Sequence, residues 1–215
     1  YLAVACLSSF RAFLLGGSRQ WLGSDLQVVL DSIPQPDDLA ALPPQMARAT
    51  AVIETLANAS SPVSGLSAPV LLKAVDPSVY PLYGQVQLKP DQPLHDGQVA
   101  VSPELLTDLG AKPGGLLSIN GHDFTIAGTI FREPDRFAAS PYTFHRVLLT
   151  RTSLDASGVL RRGNSLNARL LFALRNPADS KAARALLEQR YPDADIADYH
   201  QPDPRNAQTI DSAGY

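Results

Sequence analysis

The sequence predicts an α+β protein in which an α/β subdomain is interrupted by a small β-rich subdomain. Three observations predict it. Helical and extended patterns follow one another as β-α-β-β in the first part and β-α-β in the last, with a run of short β pieces between. The composition changes at Lys89-Pro90, and the middle run carries Asn120-Gly121 flanked by apolar alternation, a strong hairpin signal. Prolines outnumber glycines, 18 to 14, which favours short elements joined by stiff turns.

Phe10, Phe13, Leu14, Gly17 and Trp21 share one helical face, with Arg11, Ser18 and Arg19 elsewhere on the wheel. Gly16-Gly17 weakens that helix by up to about 1 kcal/mol per glycine. The helix either packs on the domain core or sets Arg11, Arg19 and Trp21 as interfacial anchors beside a bilayer. Asp25 to Ser32 runs as a strand that Pro34 stops, and Asp37-Asp38 cap a short helix through Leu42. Ala49 to Leu56 is the second strand, although its alanines leave helix open. Asn58 to Ser67 is a loop, Val70 to Val75 the third strand, and Asp76 to Gly84 turns away from it.

In the middle part Gln98 to Val101, Leu116 to Ile119 and Phe124 to Ile130 are extended. Pro103 to Leu109 is a helical turn, with Ser102 as its N-cap and Gly110 ending it. Glu133 to Tyr142 is a polar loop. Val147 to Thr150 is extended, and Ser153 caps another helical turn. Leu166 to Leu174 is a long apolar strand. Asp179 to Tyr191 is an amphipathic helix capped by Asn176 or Asp179, with Ala182, Ala185, Leu186 and Tyr191 expected inward. Ile196 to Tyr199 is a short last strand, and another helix starts near Ala207.

Bulk properties exclude several classes. With 45% hydrophobic and 18% charged residues the chain is too apolar for disorder. A net charge of -3 supplies no basic field for a phosphate backbone, so nucleic acid is not an expected partner. The single cysteine, Cys6, excludes an internal disulfide and a cysteine-based zinc site within one chain. Ala3-Val4-Ala5-Cys6 has the look of a lipoprotein cleavage site but lacks the basic and long apolar regions before it. A thiol at the end of a membrane helix is the preferred reading. No stretch approaches the about 18–20 consecutive apolar residues of a membrane span.

The residues announce no chemistry. His95, His122, His145 and His200 are not at metal-ligand spacing, and His122-Asp123 sits beside the hairpin turn. No GxSxG elbow, P-loop or dinucleotide fingerprint is present, and Lys112-Pro-Gly-Gly115 is a tight turn. Catalytic, cofactor-binding and metal-binding residues are therefore all expected to be none, and the chain is not expected to be an enzyme.

Three stretches together resemble a known family. They are Leu22-Gly-Ser-Asp-Leu-Gln-Val28; Leu72-Lys-Ala-Val-Asp-Pro-Ser-Val-Tyr-Pro-Leu-Tyr-Gly84; and Val99-Ala-Val-Ser-Pro-Glu-Leu-Leu-Thr-Asp-Leu-Gly-Ala-Lys-Pro-Gly114, followed by Ile119-Asn-Gly-His-Asp-Phe124 and Glu133-Pro-Asp-Arg136. In this order they resemble the extracytoplasmic domain of bacterial ABC-transporter permeases of the MacB/FtsX-like family, in particular the branch associated with lysophospholipase genes. One departure is Gly115, where relatives commonly carry Asp.

The resemblance implies a Porter-like α/β subdomain, residues 20–92 with 164–215, interrupted by a β-rich Sabre-like subdomain, residues 93–163. Residues 1–19 are then a membrane-proximal stalk helix. It implies a non-catalytic periplasmic or extracellular domain of an inner-membrane protein, without a cofactor of its own. The implied partners are a cytoplasmic ATP-binding subunit, a second permease copy, and a lipid or lipoprotein. The apolar start at Tyr1 to Leu7 and the uncapped Ala213-Gly214-Tyr215 fit a piece cut from between membrane helices. Its two ends, represented by Gln20 and Ala207, are then expected side by side.

Two other readings stay open. A free-standing hydrolase would need a histidine meeting a carboxylate and a nucleophile in a deep pocket. A lipid- or peptide-binding module would need an apolar cleft lined by Phe131, Phe137, Tyr142 and Phe144, unless these aromatics pack the loop onto the core.

Overall fold

The computed structural model describes residues 23–134, 144–162 and 166–198. Outside them lie the Phe10–Trp21 helix, Cys6, His200, Phe137, Tyr142, the helix from Ala207, and the expected closeness of Gln20 and Ala207.

Among the described residues ten strands form one sheet: β1 (Leu26–Leu30), β2 (Ala47–Ser60), β3 (Ser67–Val75), β4 (Gln87–Lys89), β5 (Gln98–Val101), β6 (Leu116–Ile119), β7 (His122–Arg132), β8 (His145–Thr150), β9 (Leu166–Leu174) and β10 (Ile196–Asp198). The order across the sheet is β10-β1-β9-β2-β3-β8-β5-β7-β4, with β6 bridging β2 and β7. Among the described residues four α-helices accompany it: α1 (Pro36–Leu39), α2 (Pro103–Leu109), α3 (Arg151–Ser157) and α4 (Ser180–Arg190). Pairing is antiparallel except between β3 and β8 and between β5 and β7. The strands of the middle part are thus hydrogen-bonded directly to those of the first and last parts.

Alternation along the strands gives the sheet two buried faces. On one, Val70, Leu72, Val147 and Leu149 pack with Leu105 and Leu109 of α2 and Leu154 of α3. The same face continues over β1 and β9, where Leu26, Val28, Leu170 and Phe172 receive Ala183 and Leu187 of α4. The other face carries Val52, Val75, Leu148 and Leu171. Among the described residues no helix covers it; Tyr80, Leu82, Leu88 and Leu94 from the segment after β3 do.

β2 is longer than its apolar pattern suggests. Past Leu56 it keeps pairing with β3 to Ser60↔Ser67 and gains β6 at Ala59↔Ile119, so polar Asn58 and Ser60 stay extended. The expected hairpin is present: Asn120 and Gly121 have φ of 55° and 80°, and Ile119 pairs with His122 across them. Gly110 ends α2 in the left-handed region at φ 58°. Ser102 stands at the N-cap of α2 without a capping bond, its Oγ accepting instead from Arg146 N at 3.3 Å. The cap of α3 is Thr150, whose hydroxyl accepts from Ser153 N; Ser153 itself lies inside the helix.

The inner face of α4 is Ser180, Ala183 and Leu187, whereas Ala182, Ala185 and Leu186 face solvent. Ala182, Ala183, Ala185, Leu186 and Leu187 spread over more than half of its circumference, so the pattern alone does not fix which stripe turns inward. β4, a three-residue edge strand, carries no period long enough to be recognised.

Strand pairing also fixes where the chain enters, where it leaves and where the sheet is most crowded. Leu26 pairs with Asp198, so the chain enters β1 and leaves β10 at the same end of the sheet. From that end β2 runs 14 residues, about 45 Å, to the opposite pole. At the far edge the register between β5 and β7 shifts at Val99/Ala100. There Gln92 Nε2 donates to the Ala127 carbonyl at 2.7 Å. The next residue, Gly128, is pressed against the backbone, since a Cβ would lie 2.5 Å from the Lys89 carbonyl oxygen.

Gly128→Ala is expected to cost about 1–3 kcal/mol through overpacking against that carbonyl. The urea unfolding midpoint should fall with an unchanged slope; an unaltered midpoint would refute the close approach.

Candidate functional site

On the face covered by the Tyr80–Leu94 segment, four strands contribute a row of charged side chains: Arg169 of β9, Glu54 of β2, Lys73 of β3 and Arg146 of β8. Glu133, just beyond β7, joins them. Glu54 stands directly across from Lys73 in the β2–β3 register. Arg169 Nη2 lies 3.2 Å from Glu54 Oε2, with both side chains at most 2% exposed. Glu133 Oε1 receives Lys73 Nζ at 2.8 Å and Arg146 Nη2 at 2.7 Å. Lys73 also sits 5.0 Å from the centre of the Tyr80 ring. The signs alternate along the row, which compensates charges that burial would otherwise make prohibitive.

The row ends at a cavity of about 590 Å³. Glu133 and Arg146 line it, with Thr129 to Arg132 of β7, Lys89 of β4, and Ser102, Pro103 and Glu104 where α2 begins. Phe131 is 62% exposed and carries Lys89 Nζ 3.9 Å from its ring centre. The cavity thus offers both signs of charge, hydrogen-bonding groups and one aromatic face.

No described histidine lines it. His95 and His122 are exposed, His122 resting on Phe124, and His145 Nε2 meets Asp108 Oδ2 at 2.8 Å on the surface. Among the described residues no group of His, Cys, Asp or Glu could hold a metal ion. Of the aromatics expected around a cleft, Phe131 lines the cavity and stands on a strand rather than packing a loop down. Phe144 is half-buried and not among the lining residues.

The motif residues serve the same framework. Asp25 of the first stretch is 2% exposed and accepts from Leu174 N at 2.7 Å and from the Tyr83 hydroxyl of the second stretch. Lys73 of the second meets Glu133, beyond the third, and Tyr80 of the second lies against Lys73. Glu133 reads as a loop residue in sequence because both of its cations are distant in the chain. Only a lysine inside the otherwise apolar run Val70 to Val75 could have signalled a buried partner.

No family model matches the chain. It is 30% identical over 107 residues to the ABC transporter permease YbbP of Escherichia coli (strain K12), a stretch covering 47% of this chain and 13% of that relative. The fold is similar to the periplasmic region of MacB from Actinobacillus actinomycetemcomitans, with a TM-score of 0.57 at 10% identity, covering 90% of this chain and 95% of that one. It is also similar to the extracellular domain of the ABC-type transporter YknZ from Gram-positive bacteria, with a TM-score of 0.51 at 11% identity, covering 80% of this chain and 100% of that one. The chain therefore has the sheet-rich α+β fold of these extracytoplasmic domains. Among the described residues no helix is long and apolar enough to cross a membrane.

Row and cavity meet at Glu133, whose protonation is set by its neighbours. Burial pushes its carboxyl upward, but the charges and hydrogen bonds of Lys73 and Arg146 together outweigh this and hold it below its ordinary 4.5. A carboxyl depressed in the folded state stabilises the fold above its unfolded pKa, and that contribution is lost as pH falls through the folded value. Glu133→Gln should therefore cost about 3–5 kcal/mol at neutral pH, because two buried cations lose the carboxylate they share. The gap from the wild type should narrow well below pH 4.5 in urea titrations. Glu104→Gln, exposed on the same cavity, should change stability by less than about 0.5 kcal/mol.

Proposed function

We propose that this chain is the extracytoplasmic domain of an ABC-transporter permease. In this reading it is a non-catalytic body that receives motion generated by ATP hydrolysis in a separate cytoplasmic subunit. It passes that motion to a lipid-like substrate or a partner protein outside the membrane. The observation that carries the reading is the likeness of fold, over most of both chains, to the MacB and YknZ domains. The partial identity to YbbP supports it.

The entry and exit of the chain through neighbouring strands also support it. Two membrane helices side by side could grip β1 and β10 at Leu26 and Asp198. Motion applied there needs a stiff body, since a floppy one would absorb it. In the proposed division, residues 20–92 with 164–215 form the Porter-like part and 93–163 the Sabre-like part. The two are joined by the β3–β8 ladder and by the Lys73–Glu133 pair. A permease homodimer belongs to the same proposal.

A second reading, a lipid- or peptide-binding module, is favoured by the cavity with exposed Phe131 at its rim. The two are compatible, because a docking body can hold its cargo.

The test uses the full-length gene product, cleared of other cysteines, with Val63→Cys. Val63 is 88% exposed in the turn between β2 and β3, so the substitution carries no packing cost. A membrane-impermeant maleimide should label it in intact cells after outer-membrane permeabilisation. Labelling only after lysis of the inner membrane would overturn the reading.

A further inference from the structure

The end of the sheet at which the chain enters and leaves has a charge character of its own. Arg48, Arg175 and Lys181 face solvent there. Arg48 is the second residue of β2, and its Nη2 donates to the Leu82 carbonyl at 3.1 Å. Arg175 follows β9, and its Nε donates to the Pro44 carbonyl at 2.8 Å. Lys181 is the second residue of α4, whose first residue, Ser180, donates through its hydroxyl to Asp198 at 2.9 Å.

Two acids of this end are turned inward. Asp25 and Asp198 are 2% and 7% exposed and accept hydrogen bonds from Leu174 N and Tyr83, and from Ser180. Asp179, just before α4, is half-buried. Asp76 is exposed but set back at the end of β3, where it accepts from Ser78 N and Oγ. The outermost charges of this end are therefore cationic. At the opposite pole the turn from Ser61 to Leu66 carries no charge and exposes Val63 and Leu66.

We propose that the entry-and-exit end is a docking face for anionic lipid headgroups, with Arg48, Arg175 and Lys181 meeting their phosphates. The inference rests on the extracytoplasmic reading, which sets this end against the bilayer. Both arginines are held by backbone carbonyls, so less conformational freedom is lost when a phosphate arrives. Guanidinium and phosphate match as charge-assisted, two-pronged partners. Each basic side chain close to an anionic surface strengthens binding roughly fivefold, and three together on the order of 100-fold.

The test is flotation of the 215-residue chain with vesicles of phosphatidylcholine alone or of equal parts phosphatidylcholine and phosphatidylglycerol. The apolar residues Tyr1 to Leu7 act on both lipids alike and cancel in the ratio. The wild type should prefer the anionic vesicles, and raised salt should suppress the preference. The triple variant Arg48→Gln, Arg175→Gln, Lys181→Gln should lose it at least tenfold while keeping its circular dichroism. The charge-keeping pair Arg48→Lys, Arg175→Lys should retain it.

A wild type without lipid preference, an equal preference in the glutamine variant, or a loss in the lysine variant would each overturn the proposal. Because the maleimide experiment reads sidedness at the far pole, failure of lipid docking leaves the extracytoplasmic reading standing. Failure of the labelling removes the ground for docking even if the isolated chain binds anionic vesicles.

Discussion

Five largely buried charges crossing one face of the sheet are the constraint on which the rest of this fold depends. Moving an ion out of water costs roughly several kcal/mol even after relaxation, so the row survives only if each charge meets its opposite at close range. Arg169 needs Glu54, and Lys73 and Arg146 need Glu133. These residues come from β9, β2, β3, β8 and the end of β7, so the requirement reaches across half the sheet. It also fixes register. Slipping β3 by one residue would carry Lys73 onto the helical face among Leu105 and Leu154, with no carboxylate to receive it. An apolar core tolerates such repacking far better than a row of matched charges does.

The row must also stay dry, which explains why a segment with little regular structure is held so firmly. Tyr80 lies over Lys73, and Leu82, Leu88 and Leu94 complete the cover. The cover is tied to the sheet at two further points, by Arg48 to the Leu82 carbonyl and by Tyr83 to Asp25. Asp25 in turn holds Leu174 N at the end of β9. The strand that admits the chain, the strand beside it and the lid over the charges are therefore linked through one carboxylate.

Local signals made much of this fold legible. Leu166 to Leu174 reads as a strand from its long apolar run, broken only by Asn167 and Arg169, and Asn120-Gly121 permits little other than a tight hairpin. Where the sequence misleads, the deciding partner is far away in the chain. Asn58 and Ser60 look like loop residues until β3 and β6 pair with them. Glu133 looks solvated until Lys73 and Arg146 close on it. The inner stripe of α4 is ambiguous because alanines and leucines occupy most of its circumference. The cavity was visible in part, through Phe131, but its polar wall comes from Lys89, Glu104 and Arg146, which share no motif.

The same row bears on how such a body could move. A sheet hydrogen-bonded continuously from β10 to β4 resists bending between its two parts, and the Lys73–Glu133 pair makes separation at the β3–β8 seam costlier still. Opening that seam would expose two cations and a carboxylate whose mutual attraction weakens sharply once water enters. A body of this kind displaced at Leu26 and Asp198 would swing as a unit, and the travel at its far pole would grow with the length of β2. On the proposed reading the charge row is then what makes the lever stiff. That would give a mechanical reason for placing ions where aliphatic side chains would pack with less penalty.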